Sequence, residues 1–422
     1  MRTFWLLTCL LFTTPVFGQS FIIHTVDGPL SPAPLGQLAG DLSLSTTGYA
    51  PKNVPAGGVV AIRHATQPLP GFLNQNVLVL TNGDRIPIDL KGPWKLEQDR
   101  LYFRPAAPLR SRDSLHVSVN YASVLCLGDA AAFEDQESLI TRLQHETRPR
   151  DLLLLMDGDR LEGVLKSLDA AAGATLETSG QETRVPLAKI RAIAMSSEFR
   201  STPRVKGAYA HVVLAGGGRI GLAQPQLEDA PATPKDTMRY LSGKPIFGGP
   251  QVQVPLTEIR AIDVRQGPAV YLSDLPGKYE STPFLKLSWP LGKDRSASGR
   301  PLQLGPDTFD KGLGMHSQSK VSYQLAGKYR WFEAAMGLDE LQGRLGQVRI
   351  KVLLDGKEQD LASAGLPGEP AAKINPVRRW QDGGLRLRCN VQGVRELTLA
   401  VEYADFGDVQ GQVNWGDARL IK

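Results

Sequence analysis

Cysteine is nearly absent from these 422 residues. Beyond the N-terminal stretch only Cys126 and Cys389 remain, and neither has a Cys or His neighbour at metal-ligand spacing. No metal site is read from them, and a bridge between the two is open but not implied. Charge of one sign is scarce as well. The formal net charge is +5, and the 48 Lys and Arg are scattered along the chain. Nucleic-acid binding wants cations clustered on one face or element, so no nucleic-acid partner is expected. The one long apolar run, residues 4–12, falls short of the ~20 residues that span a bilayer, so no membrane span is expected either. Catalytic signatures are missing. There is no Gly-x-Ser-x-Gly elbow, no His-Glu-x-x-His and no phosphate-binding loop. No carboxylate pair stands out as a glycosidase acid and base. The chain reads as a non-enzyme.

What is there begins with Arg2, the apolar run, and the small-residue site Val16-Phe17-Gly18. That order predicts a signal peptide over residues 1–18, a mature chain from Gln19, and export to the periplasm or beyond. Gly (43) and Pro (30) are abundant, with Val, Ile and Leu in short runs between them. The profile is mainly β, and the length calls for more than one domain.

A repeat organises the first part. Val185-Pro186-Leu187-Ala188-Lys189-Ile190-Arg191-Ala192-Ile193 recurs as Val254-Pro255-Leu256-Thr257-Glu258-Ile259-Arg260-Ala261-Ile262. Val54-Pro55 through Ile62 has the same form, and a copy without proline starts at Val119, giving spacings of 65, 66 and 69 residues. Asn82-Gly83, Asp157-Gly158, Gly216-Gly217 and Asp27-Gly28 precede the copies, and such pairs favour tight hairpin turns. Four β units follow, at 19–66, 76–128, 151–198 and 209–266. By fold-level analogy with SH3-like or Sm-like proteins they read as tandem small β-barrel-like repeats. Asp159 and Arg160 beside one turn read as a solvated pair rather than a recognition loop. Residues 133–144 read as an amphipathic helix with Phe133, Ile140 and Leu143 on one side.

After Ile262 the character changes, and Gly267-Pro268 and Leu275-Pro276-Gly277 mark a linker. Then come Phe309-Asp310-Lys311-Gly312-Leu313-Gly314-Met315-His316-Ser317, Val321-Ser322-Tyr323-Gln324-Leu325, Tyr329-Arg330-Trp331-Phe332-Glu333-Ala334 and Gly337-Leu338-Asp339. A strand from Val348 to Asp355-Gly356 and the closing Val413-Asn414-Trp415-Gly416-Asp417-Ala418-Arg419-Leu420 complete the order. In these blocks residues 269–422 resemble the NPCBM family of carbohydrate-binding modules. The resemblance implies a galactose-binding-like jelly roll. Independently, alternation at Val348, Ile350, Val352 and Leu354, and at Leu397, Leu399 and Val401, predicts half-buried strands of an antiparallel β-sandwich.

Family modules of this kind bind sugars through loops at one end. The resemblance places ligand candidates at His316, Trp289, Asp310, Lys311, Arg330, Asn414 and Trp415, with Trp331 and Trp380 as alternative rings. His316 reads either as a hydroxyl partner or as a residue bonded within its own loop, and Trp415 reads first as core. Asp405, Asp408 and Asp417 are candidates for a structural calcium, against turn-capping as the plainer role; no other cofactor is expected. The expected function is an exported, non-catalytic carbohydrate-binding protein. The alternatives are an envelope structural or interaction protein that binds protein partners, and an accessory part of a glycoside hydrolase system.

Overall fold

A computed structural model describes residues 19–127, 135–231, 237–282, 288–364, 371–405 and 407–422. The expected signal peptide and Phe133 lie outside them. Three of the glycine turns close identically. Leu80 N–H donates to Asp84 O and Gly83 N–H to Leu80 O. Leu155 with Asp159 and Gly158, and Leu214 with Gly218 and Gly217, repeat both bonds. Gly83, Gly158 and Gly217 stand at φ +90°, +97° and +87°, where a side chain would be strained.

Each turn follows the first strand of a unit. The first strands are Phe21–Thr25, Val77–Leu80, Asp151–Leu155 and Tyr209–Leu214. The last strands are Val59–His64, Ala122–Cys126, Ile190–Ala194 and Ile259–Arg265, and in every unit first and last pair antiparallel. A one-turn 3-10 helix precedes three of the last strands, at Val119–Tyr121, Leu187–Lys189 and Leu256–Glu258. Pro186 and Pro255 lead into theirs at nearly the same angles, (−58°, 140°) and (−55°, 133°). Proline suits the place because its φ is preset and it has no N–H to leave unpaired. Segments 185–193 and 254–262 are thus equivalent elements.

The barrel expectation is corrected one level higher. Ile62 pairs directly with Ile262, and Leu125 with Ile193. Units one and four therefore join through their last strands, as do units two and three. A bridge between Arg85 and Arg219 links the two pairs into a 19-stranded sheet, and no unit closes on itself. The physical reason is the edge. A last strand with one free side presents unpaired N–H and C=O groups, and here the matching strand of another unit satisfies them. Phe72 fills the junction between the repeat-equivalent Arg85 and Arg219, whose guanidinium carbons lie 3.9 and 4.7 Å from its ring centroid. In unit three the equivalent Arg160 turns away from Asp159 to pair with Glu146.

Asp135 caps the helix Gln136–His145 by accepting from Ser138 N–H at 2.9 Å. The helix buries Leu139, Ile140 and Leu143 against Val77, Val79, Val124, Leu152 and Leu154. The alternate residues of the same strands, Leu78, Leu80, Leu125 and Leu153, face the main repeat core. Period-two alternation thus serves two cores at once.

The C-terminal part is a sandwich of two six-stranded antiparallel sheets. Gly312–His316, Gln412–Ile421, Trp331–Leu338 and Leu385–Asn390 run through one; Ser319–Gln324, Glu396–Tyr403 and Gln347–Leu354 run through the other. Met315, Phe332, Met336, Val413 and Trp415 from the first sheet meet Val348, Ile350, Val352, Leu399 and Val401 from the second. Leu69, Val213 and Ala261 of the repeats pack on Leu302, Leu304 and Phe309 of the sandwich, so the seam between the parts has an apolar centre. Cys126 is buried in the repeats and Cys389 in the sandwich, and both thiols are free.

Candidate functional site

The Gly312-x-Gly314 pattern has a steric cause. A Cβ on Gly312 would stand 2.1 Å from Trp415 O, and one on Gly314 would stand 2.4 Å from Ala297 N. The two glycines let the strand lie against the closing strand and the 295–297 loop, and the strand ends at His316. There the imidazole lies flat under the Trp289 indole, with ring centroids 4.6 Å apart and planes within 2°. His316 is 3% exposed, while Trp289 is half-buried. Behind the ring, Nδ1 lies 3.2 Å from both Asp408 Oδ1 and Ser317 Oγ. Ser317 Oγ–H donates to Asp408 Oδ1 at 2.5 Å. Burial pushes the His316 pKa below its ordinary value, against the opposing pull of Asp408. The imidazole is held from behind and covered in front, with the indole as the accessible ring.

The other sequence candidates part company. Asn414 and Trp415 are fully buried. Asn414 donates to Asp339 Oδ2 at 2.6 Å and to Gln303 O at 3.1 Å, and Trp415 belongs to the sandwich core. Lys311 Nζ is held by Asp274 and Asp294 at 2.5 and 2.7 Å. Arg330 reaches Asp27 of the first repeat unit at 3.1 Å. Asp310 also faces the repeats: it accepts from Arg219 Nε at 3.1 Å and lies 2.9 Å from His211 Nε2. Burial alone would raise its pKa, but Arg219 and His211 hold the carboxyl far below the usual carboxylate range. These residues serve the seam or the core rather than the loop end that carries Trp289.

The calcium grouping is not formed. Asp408 belongs to the His316 cluster, and the backbone N–H of Asp405 donates to Gln347 Oε1. Asp417 accepts from Arg63 Nη2 at 2.8 Å, on the seam. Among the described residues no group of three His, Cys, Asp or Glu side chains is set to hold a metal ion. The cause lies in the closing strand. Asp417 stands at φ +52°, and the pairing with Trp331–Leu338 shifts register around it. Val413 and Trp415 before the shift, and Ala418 and Leu420 after it, all face the core. Asp417 and Arg419 are thereby turned to the repeats. Arg63, Arg386 and Arg419 at that seam were not singled out in the sequence, although Arg419 sits in the closing block.

Among the described residues no helix is long and apolar enough to cross a membrane. The sequence pattern of the NPCBM/NEW2 domain family matches residues 268–421. A protein of Renibacterium salmoninarum named "Putative endo-alpha-N-acetylgalactosaminidase" is 38% identical over 130 residues, which are 31% of this chain and 8% of that protein. The chain thus spans less than a tenth of the curated relative it matches. Among solved structures, a CBM51 module of a Clostridium perfringens GH95 protein in complex with methyl-galactose is 22% identical, at a TM-score of 0.30, over 36% of this chain and 99% of that one. The CBM51-2 and INT domains of Clostridium perfringens ZmpB, in complex with GlcNAc, are 24% identical, at a TM-score of 0.31, over 44% of this chain and 37% of that one. The sandwich that carries Trp289 and His316 is an NPCBM/NEW2 domain, joined to four β units.

Proposed function

We propose that this protein is exported and binds glycans without transforming them, and that a sugar ring lies on Trp289. The observation that carries the reading is the Trp289–His316 stack. A half-buried indole fixed by a flat, buried partner offers a rigid apolar face to the C–H face of a pyranose. Preorganisation of this kind lowers the ordering cost of binding. The chemistry behind the ring favours a binder over a catalyst. Ser317 Oγ and Asp408 gather on the same nitrogen of His316, so no relay runs from carboxylate through imidazole to hydroxyl, as nucleophilic catalysis needs.

The test is titration of the full chain with galactose, N-acetylgalactosamine and N-acetylglucosamine, beside the Trp289→Ala variant. The expected result is weak binding of a neutral sugar that the variant loses while its melting temperature is kept. No binding to a broad glycan panel would overturn the reading, and so would turnover of a glycoside abolished by one Asp or Glu substitution. Export is tested by sequencing the mature N-terminus, expected at or near Gln19. A second reading, an accessory part of a glycoside hydrolase system, is favoured by the relative named as a glycosidase, whose likeness is confined to one small stretch. Co-purification with a glycosidase from the native host would support it.

A further inference from the structure

A cavity of about 460 Å³ opens at the seam, between the first repeat unit and the sandwich sheet that carries Asp417. Its size and its place between two packed parts are those of small-molecule sites. Two of its arginines are almost wholly buried: Arg63 is 6% and Arg419 1% exposed. Arg63 Nη2 donates to Asp263 at 2.6 Å and to Asp417 at 2.8 Å, and Nη1 donates to Ile62 O. Its Nε–H meets no acceptor among the described residues. Arg419 directs Nε and Nη2 at one oxygen of Glu333, at 3.4 and 3.1 Å, and its Nη1 likewise meets none. Buried donors are normally satisfied, and one left without a partner costs more when it is charged.

Charge points the same way. Arg386 is a third guanidinium on this wall, and its Nη1 stands 3.9 Å from Asp417 Oδ2, beyond hydrogen-bond length. Asp417 is already engaged by Arg63, and Glu333 is shared between Arg419 and Arg388. Asp417 and Glu333 are each divided between cations, and Asp307, the third carboxylate of the lining, accepts from Leu69 N–H. With Arg260 the lining holds four arginines against these three carboxylates, an excess of one positive charge. His24 on the same wall is pushed well below its ordinary pKa by burial and then by Arg386, Arg419 and Arg63, against the pull of Asp417. Ile22, Leu69 and Leu387 supply an apolar side.

We infer that this cavity is a second binding site, and that it takes a carboxylate-bearing monosaccharide of the hexuronate class. A carboxylate is planar and accepts in pairs, which suits guanidinium donors. Arg386, about 35% exposed and weakly engaged, receives it, with the buried Arg63 and Arg419 adding positive charge behind it, while the apolar side takes the ring. The choice of a sugar rests on the carbohydrate-binding reading; the choice of an anion rests on the arginines alone.

The experiment is calorimetric titration of the full chain with galacturonate and glucuronate, beside galactose, acetate and inorganic phosphate. Arg386→Gln, Arg386→Lys and Trp289→Ala are titrated in parallel, each with a melt to establish folding. The expected result is uronate binding that weakens with added salt and raises the melting temperature of the natural chain. Arg386→Gln should weaken it about tenfold or more, as loss of a charge-assisted bond does, with Arg386→Lys between and Trp289→Ala unchanged. Three results would overturn the inference: no uronate binding, uronate binding indifferent to Arg386→Gln, or acetate or phosphate bound as tightly as the uronates. Uronate binding by the natural chain with no binding of any neutral sugar would instead sink the Trp289 reading alone.

Discussion

Arg63, on the last strand of the first repeat unit, is clamped between two carboxylates 154 residues apart in the chain: Asp263 at 2.6 Å and Asp417 at 2.8 Å. Asp263 lies on the last strand of the fourth unit and Asp417 on the closing strand of the sandwich. One guanidinium therefore ties three distant segments, and all three side chains are buried. Removing it leaves two buried carboxylates without the cation that hydrogen-bonds them, since Arg265 and Arg386 stand 3.9 Å from Asp263 and Asp417. Arg63→Met should lower stability by about 3–5 kcal/mol, as breaking a buried pair does. Denaturant unfolding checks this, and adding Asp263→Asn and Asp417→Asn should recover part of the loss.

The pairing of units one and four rests on Ile62 opposite Ile262, both buried. Each change to Ala should cost about 2–5 kcal/mol through lost packing and the space left behind. Because the side chains are cross-strand neighbours, the double variant should depart from the sum by about 0.5–3 kcal/mol. Additive losses would show that the two units do not meet there.

His211 makes the seam sensitive to pH. Burial alone would lower its pKa, but the Asp310 carboxylate 2.9 Å from Nε2, and then the Asp84 carboxylate 3.7 Å from Nδ1, outweigh burial and hold it above the ordinary value. A group whose folded pKa is raised contributes stability that is complete below its unfolded pKa near 6.5. That stability fades as pH rises through the folded value. The melting temperature should therefore fall as pH climbs from below 6.5 through the raised value, and His211→Gln should flatten this part of the profile. Differential scanning calorimetry across that range is the measurement.

His316 and Trp289 should separate in their effects. His316 is buried against Asp408 and Ser317, so His316→Ala strands their polar atoms and should cost about 1–3 kcal/mol. Trp289→Ala should leave the melting temperature nearly unchanged and reduce sugar binding. Thermal melts paired with titrations distinguish a structural imidazole from a ligand-contacting one.

The thiols should be inert in the native protein. Burial pushes Cys126 up to about 12 and Cys389 up to about 11, and the thiolate is the reactive form. Alkylation at pH 8 should be slow until denaturant is added, and a reducing agent should leave the melting temperature unchanged.

Local chemistry was legible residue by residue. The turns at Gly83, Gly158 and Gly217, the one-turn helices after Pro186 and Pro255, and the alternating strand Gln347–Leu354 with its turn at Asp355-Gly356 all follow from preferences acting over a few residues. The repeat also put 185–193 and 254–262 in one kind of place, because one hydrophobic pattern in one register faces one kind of core. The partners of those strands were not legible. Every last strand has an equally apolar edge, and nothing within a unit says that the first should join the fourth, or that the sheet should stay open. Trp415 as core was readable from its neighbours, whereas Asp417 and Arg419 were not. A period-two reading keeps them on the face of Trp415, and only the register shift at Asp417 turns them outward. Sequence alone determined turns, strand faces and the family likeness of residues 268–421, because these depend on near neighbours and on order along the chain. Tertiary structure alone decided which candidates gather at Trp289 and which at the arginine seam. Ion pairs such as Arg63 with Asp417 join residues hundreds of positions apart, and their meeting is set by how strand edges and sheet faces are covered.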